Sequence, residues 1–274
     1  MILQSASWQS WQTHDDGAKP LVAVQIGKKM CCGVPAHSRR WTMALSSDAT
    51  MVLFYDFEGD TADHDDWHSN QHFLERLSVP GFLRATRWVA RTGSPRYLVT
   101  YEVSDTNIGT SRPYLERLND PTSWTGQVMP RFRGMTRGFC DIIASHGIGL
   151  GSTVLVLRFT PRTDSMDHLV DALTDDVLPA IAATAGIVSA LLMRPAAPPP
   201  MTREQSLRGP DKPMPWVVLV SAYDPAPLNR VASVHFDKAH LCNIGASPDL
   251  VLNQYTLAHT ATAADAARQM AQSG

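Results

Sequence analysis

An α+β fold is what this sequence predicts: two tandem ferredoxin-like β-α-β-β-α-β repeats forming one α+β barrel. Three observations predict it. From residue 51 onward, short β-rich apolar runs alternate with helical stretches. Their order is β-α-β-β-α-β, and it occurs twice, with a period of about one hundred residues. Between the two rounds lies a glycine-rich stretch, "GIGLGS", which suits a connection. Two such sheets can pack inner face to inner face and close a barrel within one chain.

The elements follow in order. Residues 1–50 show no clear period and are expected to form a poorly structured N-terminal extension. The first repeat takes residues 51–146. "MVLFYDF" opens it as a strand. "DHDDWHSNQHFLERLSVPG" follows as a helix, with acidic residues near its start and Pro80-Gly81 as its stop. "FLRATRWVA" and "RYLVTYEV", joined by "RTGSP", make a hairpin. "SRPYLERLND" is a short helix with proline at its start, and "RFRGMTRGFCDIIAS" holds the fourth strand. Residues 147–151 are the linker. The second repeat takes residues 152–260: strand "TVLVLRF", a helix ended by Gly186, strands "IVSALLMRPA" and "PWVVLVSAYD" around a proline-rich hairpin loop, helix "PAPLNRVASVHFDKAH" and strand "LVLNQYTLAHT". Residues 261–274 form a C-terminal tail, a fraying helix or disordered.

Composition bounds the function. Of 274 residues, 44% are hydrophobic and 18% charged, a globular balance. The net charge of −2 and the lack of a basic block leave no electrostatic footprint for nucleic acid or an anionic membrane. The apolar runs are too short to span a bilayer, and the N-terminus lacks a signal-peptide pattern, so a cytoplasmic protein is expected. Cys31, Cys32, Cys140 and Cys242 include no C-x-x-C pair, and no structural metal is expected. Cys140 and Cys242 read as small buried hydrophobes. His235, Asp237 and His240 in "HFDKAH" have poor ligand spacing. "HGIGLGS" precedes a strand, the wrong context for a nucleotide loop. No G-x-S-x-G elbow occurs.

The candidate site residues begin with His68 and His72, four apart in the first helix. On a regular helical wheel they fall with Glu75 and Arg76, opposite Trp67, Leu74 and Leu77, which reads as a solvated polar stripe. The other reading is a proton-transfer pair, since histidine both takes and gives a proton near neutral pH. Gln71 cannot ionise, so His72 is expected to titrate as an ordinary histidine. Strand alternation sets Arg84, Thr86 and Trp88 on one face and Leu98, Thr100 and Glu102 on one face of the next strand, so Arg84 and Glu102 can pair on the inner face, as a structural ion pair or as a polar anchor in an apolar pocket. Arg131, Arg133 and Arg137 lie on one strand face, as a solubilising row along an exposed edge or as a carboxylate grip.

"DDWHSNQHFLERLSVPGFLRATRWVA", "PRYLVTYEVSD", "YLERLNDPTSWT" and "RFRGMTRGFC" resemble the dimeric α+β-barrel superfamily, in particular its EthD-like members. The resemblance covers residues 51 to about 145; the second half matches in element order only. Gln71 stands where relatives carry glutamate. The superfamily includes cofactor-free monooxygenases, lactone isomerases, polyketide cyclases and haem-handling enzymes. The resemblance implies a cofactor-independent enzyme of small-molecule catabolism. It would act by proton transfer on a small apolar, aromatic or polyketide-like metabolite, as an isomerase, cyclase, lyase or monooxygenase. His72 and His68 would be catalytic, and Trp67, Arg84, Trp88 and Glu102 would bind substrate. A non-catalytic ligand-binding or accessory protein of a degradative pathway is the alternative, and a haem-binding member is the third option. The resemblance leaves a homodimer open.

Overall fold

The computed structural model describes residues 44–273. Eight antiparallel strands close a barrel: β1 (Ala49–Phe57), β2 (Phe82–Ala90), β3 (Tyr97–Val103), β4 (Phe132–Gly147), β5 (Thr153–Phe159), β6 (Ile187–Pro195), β7 (Trp216–Ala222) and β8 (Val251–Thr262). Around the barrel they run β1-β3-β2-β8-β5-β7-β6-β4. Each half therefore has the same internal order, fourth-first-third-second, and the fold is the two-repeat α+β barrel. One seam joins β2 to β8, from Arg84↔Thr262 to Ala90↔Tyr255; the other joins β4 to β6, from Cys140↔Pro195 to Gly147↔Ser189. Closure pairs both edges of each half-sheet.

Strand alternation then builds three cores. The side chains pointing inward, among them Val52, Phe54, Trp88, Leu98, Val156 and Leu219, come from strands of both halves and fill the barrel. The outward-pointing set of the first half, including Met51, Tyr55, Val99 and Tyr101, packs under that half's helices. Leu155, Leu157, Phe159 and Val218 do the same in the second half.

The helical layer of the first half is α1 (residues 61–77), α2 (Arg112–Asn119) and α3 (Ser123–Val128). That of the second is α4 (residues 166–182), α6 (Pro225–His235) and α7 (Lys238–Asn243), with the short α5 (Arg203–Ser206) in the β6–β7 connection and α8 (Ala263–Ser273) at the end. α1 is capped by Asp60, whose Oδ1 accepts from the Ala62 amide at 2.9 Å. Gly81, at φ 96°, turns the chain back into β2, a conformation suited to glycine. α4 follows the same course to Gly186, at φ 94°. Among the described residues no helix is long and apolar enough to cross a membrane.

Two segments cross from the second half to the first. The β6–β7 hairpin, residues 196–215, reaches over the first half's helices. The Lys212 amide bonds to the Met135 carbonyl at 2.8 Å, and the Arg203 amide to Asn119 Oδ1 at 2.9 Å. α8 packs on the first half through the fully buried Ala266. The C-terminal segment, expected to fray or be disordered, is thus a docked helix. Residues 1–43 of the expected N-terminal extension lie outside the described residues, Cys31 and Cys32 among them. From Ala44 the chain lies on the barrel, its amide bonded to Ser145 Oγ at 3.0 Å. Cys140 is buried, which pushes its thiol pKa up to about 12, and Cys242 is half-buried.

The row of arginines does not line an open edge: the stretch of β4 that carries it pairs with β1, and its other side is covered by the β6–β7 connection, where Lys212 bonds to Met135 and Ala196 to Phe139. Arg131 precedes the strand and pairs with Asp63 at 2.5 Å, Arg133 pairs with Glu58, and Arg137 is buried against Asp211 at 2.9 Å.

Candidate functional site

The site grows from the irregularity of α1. Thr61–Trp67 is regular α-helix, His68–His72 is a π turn, and Phe73–Leu77 is α-helix again. A π turn adds a residue to the turn and re-phases all that follows. The regular wheel therefore fails here, and so does the expectation of a solvated stripe. His64, His68 and His72 are 0%, 3% and 6% exposed, and Arg76 is 2% exposed. The three imidazoles lie in a row, His64 on His68 at 5.4 Å between centroids and His68 on His72 at 5.5 Å. Trp67 lies against His72 at 4.4 Å.

His68 and His72 line a pocket between α1 and the outer sheet face. Trp67, Arg76, Tyr55 and Tyr101 line it too, and Glu204 and Arg208 of the hairpin close it from above. Its free space is about 20 Å³, room for a water molecule. Beside it, sharing Arg137, an open cleft of about 290 Å³ runs under the hairpin between Pro195–Pro199 and Asp211–Met214. The wall between the two spaces is polar: Arg137 and Arg208 both meet Asp211 at 2.9 Å.

Arg76 and Glu204 form a buried ion pair. Burial, the largest single effect, raises the Glu204 carboxyl, but Arg76, His72 and Arg208 together outweigh it and the net shift is downward. Three buried polar atoms of the lining, His72 Nδ1, Arg76 Nη1 and the Tyr101 hydroxyl, have no hydrogen-bond partner among the described residues. The Glu75 carboxylate is 3.7 Å from His72 Nδ1, beyond hydrogen-bond reach. On the other side of the histidine row, the Tyr55 hydroxyl is 3.0 Å from His64 Nε2, and His64 Nδ1 is 2.8 Å from Asp65 Oδ1. Arg87 donates to the Asp65 carbonyl at 3.0 Å and lies 3.4 Å from His68 Nδ1.

His72 is not an ordinary histidine. Burial first, then the Arg76 charge, holds its pKa well below the usual value; burial and the neighbouring His64 do the same to His68. Both are neutral at neutral pH and can accept a proton. Burial also keeps the Tyr101 hydroxyl protonated, as a donor.

Of the residues read from sequence, the structure brings Trp67, His68 and His72 together. It places Arg84, Trp88 and Glu102 across the sheet, inside the barrel, because they occupy the inward positions of β2 and β3. Arg84 does face Glu102 in register, at 3.7 Å, and Glu102 Oε2 accepts from the Ser46 amide at 2.8 Å. The pair ties residues ahead of β1 to the barrel. Gln71 bonds to Thr125 Oγ1 at 3.1 Å, joining α1 to α3. The sequence does not single out Tyr55, His64, Tyr101, Glu204 and Arg208, and the regular wheel puts Arg76 on the solvated stripe. His64 carried a signal, since it repeats the four-residue spacing of His68 and His72 one turn upstream. Glu204 and Arg208 carried none, lying in a proline-rich loop.

The second repeat supplies a comparison inside the same molecule. α4 also has a π turn, Ala172–Val177, followed by α-helix over Leu178–Ala182. Aligned on the glycines that end them, α1 and α4 set His64, His68, His72 and Arg76 opposite Leu169, Leu173, Val177 and Ile181, all buried. The π turn thus belongs to the fold, while the polar residues belong to the first repeat alone.

No protein-family model matches the chain, and no curated protein matches it in sequence. Solved structures do match in fold. An anthrone oxidase-like protein aligns with a TM-score of 0.58 at 11% identity, over 78% of this chain and 93% of that one. A candidate monooxygenase from Fusobacterium nucleatum aligns with a TM-score of 0.50 at 8% identity, over 80% of this chain and 96% of its own. A ferredoxin-fold protein of Listeria monocytogenes related to antibiotic biosynthesis monooxygenases aligns at 0.41 and 9% identity, over 77% and 96%. At such identities the likeness shows the fold alone, and what this chain shares with the first two is the α+β architecture.

Proposed function

We propose that this protein is a cofactor-independent enzyme that moves a proton on a small aromatic or polyketide-like metabolite, with His72 as the base. The observation that carries the reading is the contrast between the repeats. Leucine, valine and isoleucine fill in α4 the positions that histidine and arginine fill in α1, at comparable burial. Packing does not call for the polar set, and burying it opposes folding.

The unpartnered atoms indicate the chemistry. A neutral His72 takes a proton from a carbon acid beside a carbonyl. Arg76 Nη1 and the Tyr101 hydroxyl are two free donors on the same lining, suited to hold the carbonyl oxygen as it gains charge. Isomerisation, cyclisation, lyase and oxygenation chemistry can all begin with this step. Substrate would enter from the cleft under the hairpin, with residues 196–215 moving aside, since the pocket itself holds only about 20 Å³. The contacts of Trp67 and His68 with the His72 ring favour the acid–base role over that of a haem ligand.

A carbon-acid probe tests this. With 2-tetralone in D2O and no added metal, the protein should accelerate exchange of the ketone's α-hydrogens, followed by NMR. His72→Val, which borrows the second repeat's residue, should fold and lose roughly a hundredfold to ten-thousandfold of that rate. Binding of the probe without exchange would replace the enzyme reading with a ligand-binding one.

A further inference from the structure

We propose that Tyr55, His64 and Asp65 form a proton relay that joins the buried pocket to solvent, a role that rests on the acid–base reading of that pocket. Tyr55 lines the pocket and is 1% exposed; Asp65, at the other end, has a side chain 36% exposed. Between them His64 is fully buried, with Nε2 3.0 Å from the tyrosine oxygen and Nδ1 2.8 Å from the carboxylate. A carboxylate only accepts, so Nδ1 carries the imidazole proton and Nε2 accepts from the Tyr55 hydroxyl. The polarity of the whole chain is thereby set by Asp65.

The second repeat again separates packing from chemistry. Tyr55 pairs with Tyr97, the first residue of β3; Phe159 pairs with Trp216, the first residue of β7. Phe159 is therefore the counterpart of Tyr55, a ring without its hydroxyl. Leu169 and Val170 stand for His64 and Asp65. The hydroxyl, the imidazole and the carboxylate are missing together, as parts of one unit would be.

The relay has two strokes. In the first, a proton released in the pocket bonds to the Tyr55 oxygen while the Tyr55 O–H proton passes to His64 Nε2. The imidazolium gives its Nδ1 proton to Asp65, which passes it to water. His64 now holds its proton on Nε2, and the Tyr55 O–H points into the pocket. In the second stroke Tyr55 donates that proton to the bound molecule, takes the Nε2 proton, and Nδ1 is refilled from water through Asp65. Each cycle removes one proton and returns another, which is the balance of a keto–enol isomerisation with solvent exchange. Around His64 stand Tyr97 on β3, Arg87 on β2, Arg131 before β4, and His68 on α1. Burial and the two arginines lower its pKa against the opposing pull of Asp65, so the imidazole rests neutral.

Histidine-selective 15N NMR on the full chain, paired with 2-tetralone exchange, tests the relay. In the wild type, His64 should carry its proton on Nδ1, shifted downfield and slow to exchange. Tyr55→Phe should fold, since Phe159 fills that position in the second repeat. It should move the His64 Nε2 resonance and lower exchange by roughly a hundredfold, with probe affinity unchanged. Asp65→Asn should do the same and displace the pH–rate profile, and the double variant should be no slower than either single one. Nε2-protonated His64 in the wild type, unchanged exchange in Tyr55→Phe, or additive losses would overturn the proposal. Should the wild type show no exchange at all, the base reading fails, and the His64 tautomer with its response to Tyr55→Phe decides the relay alone.

Discussion

Three imidazoles buried in a row make this protein sensitive to acid. Their pKa values in the fold lie below the ordinary 6.5, through burial first. The unfolded chain therefore binds more protons once the pH drops below about 6.5, and folding stability rises with pH through that window. The contribution is fully present above about pH 6.5 and is lost as pH falls toward and through the folded values. Urea midpoints measured from about pH 7.5 down to about pH 5 should fall steadily. In a variant carrying His64→Leu, His68→Leu and His72→Val they should fall much less. At this scale the histidine spacing was legible in the sequence, but its burial was not. A wheel drawn at a constant angle assumes a regular helix, and no residue type marks the turn over His68–His72 that breaks the regularity.

The β6–β7 hairpin acts on the site as an element, and its hold depends on one buried charge pair. Glu204→Ala leaves the Arg76 guanidinium buried without its partner, and such uncompensated charges destabilise by about 3–5 kcal/mol. Replacing both, with Arg76→Ile and Glu204→Leu, removes the desolvation along with the attraction and should restore much of the stability while abolishing probe exchange. Thermal melts of the single and double variants check this. The hairpin's composition read as a loop, and a loop carries no period from which its landing point could be inferred. Strand alternation fared better and worse at once. It placed Arg84 opposite Glu102 correctly, since a two-residue period fixes which side chains share a face. It does not say which face the helices cover, so Arg84, Trp88 and Glu102 were grouped with a pocket that lies across the sheet from them.

At the level of the whole molecule, each half-sheet has two open edges and an apolar inner face until the other half covers them. Residues 44–150 and 152–273, produced separately, should be insoluble or associate through the faces that carry Val52, Phe54, Val156 and Leu219. Mixed during refolding, they should give one species of their summed mass by size exclusion. The repeat was legible because each half spells the same element order with its own turn residues. The asymmetry between halves was not, because a regular helical wheel puts the polar set of α1 on the surface.

The filled space of the second half has a consequence for stoichiometry. Leu157, Phe159, Leu169, Leu173 and Leu241 meet there with no room for a water molecule between them. A pair of identical subunits closing the same barrel would present two equivalent seats. Among the described residues the polar pocket occurs in the first repeat alone, and on the proposed reading a tight pocket ligand should titrate calorimetrically to one equivalent per chain. The leucine-filled copy answers only to packing, so substitutions there should register in melting temperature alone, while those at His72 and Tyr55 should register in probe exchange.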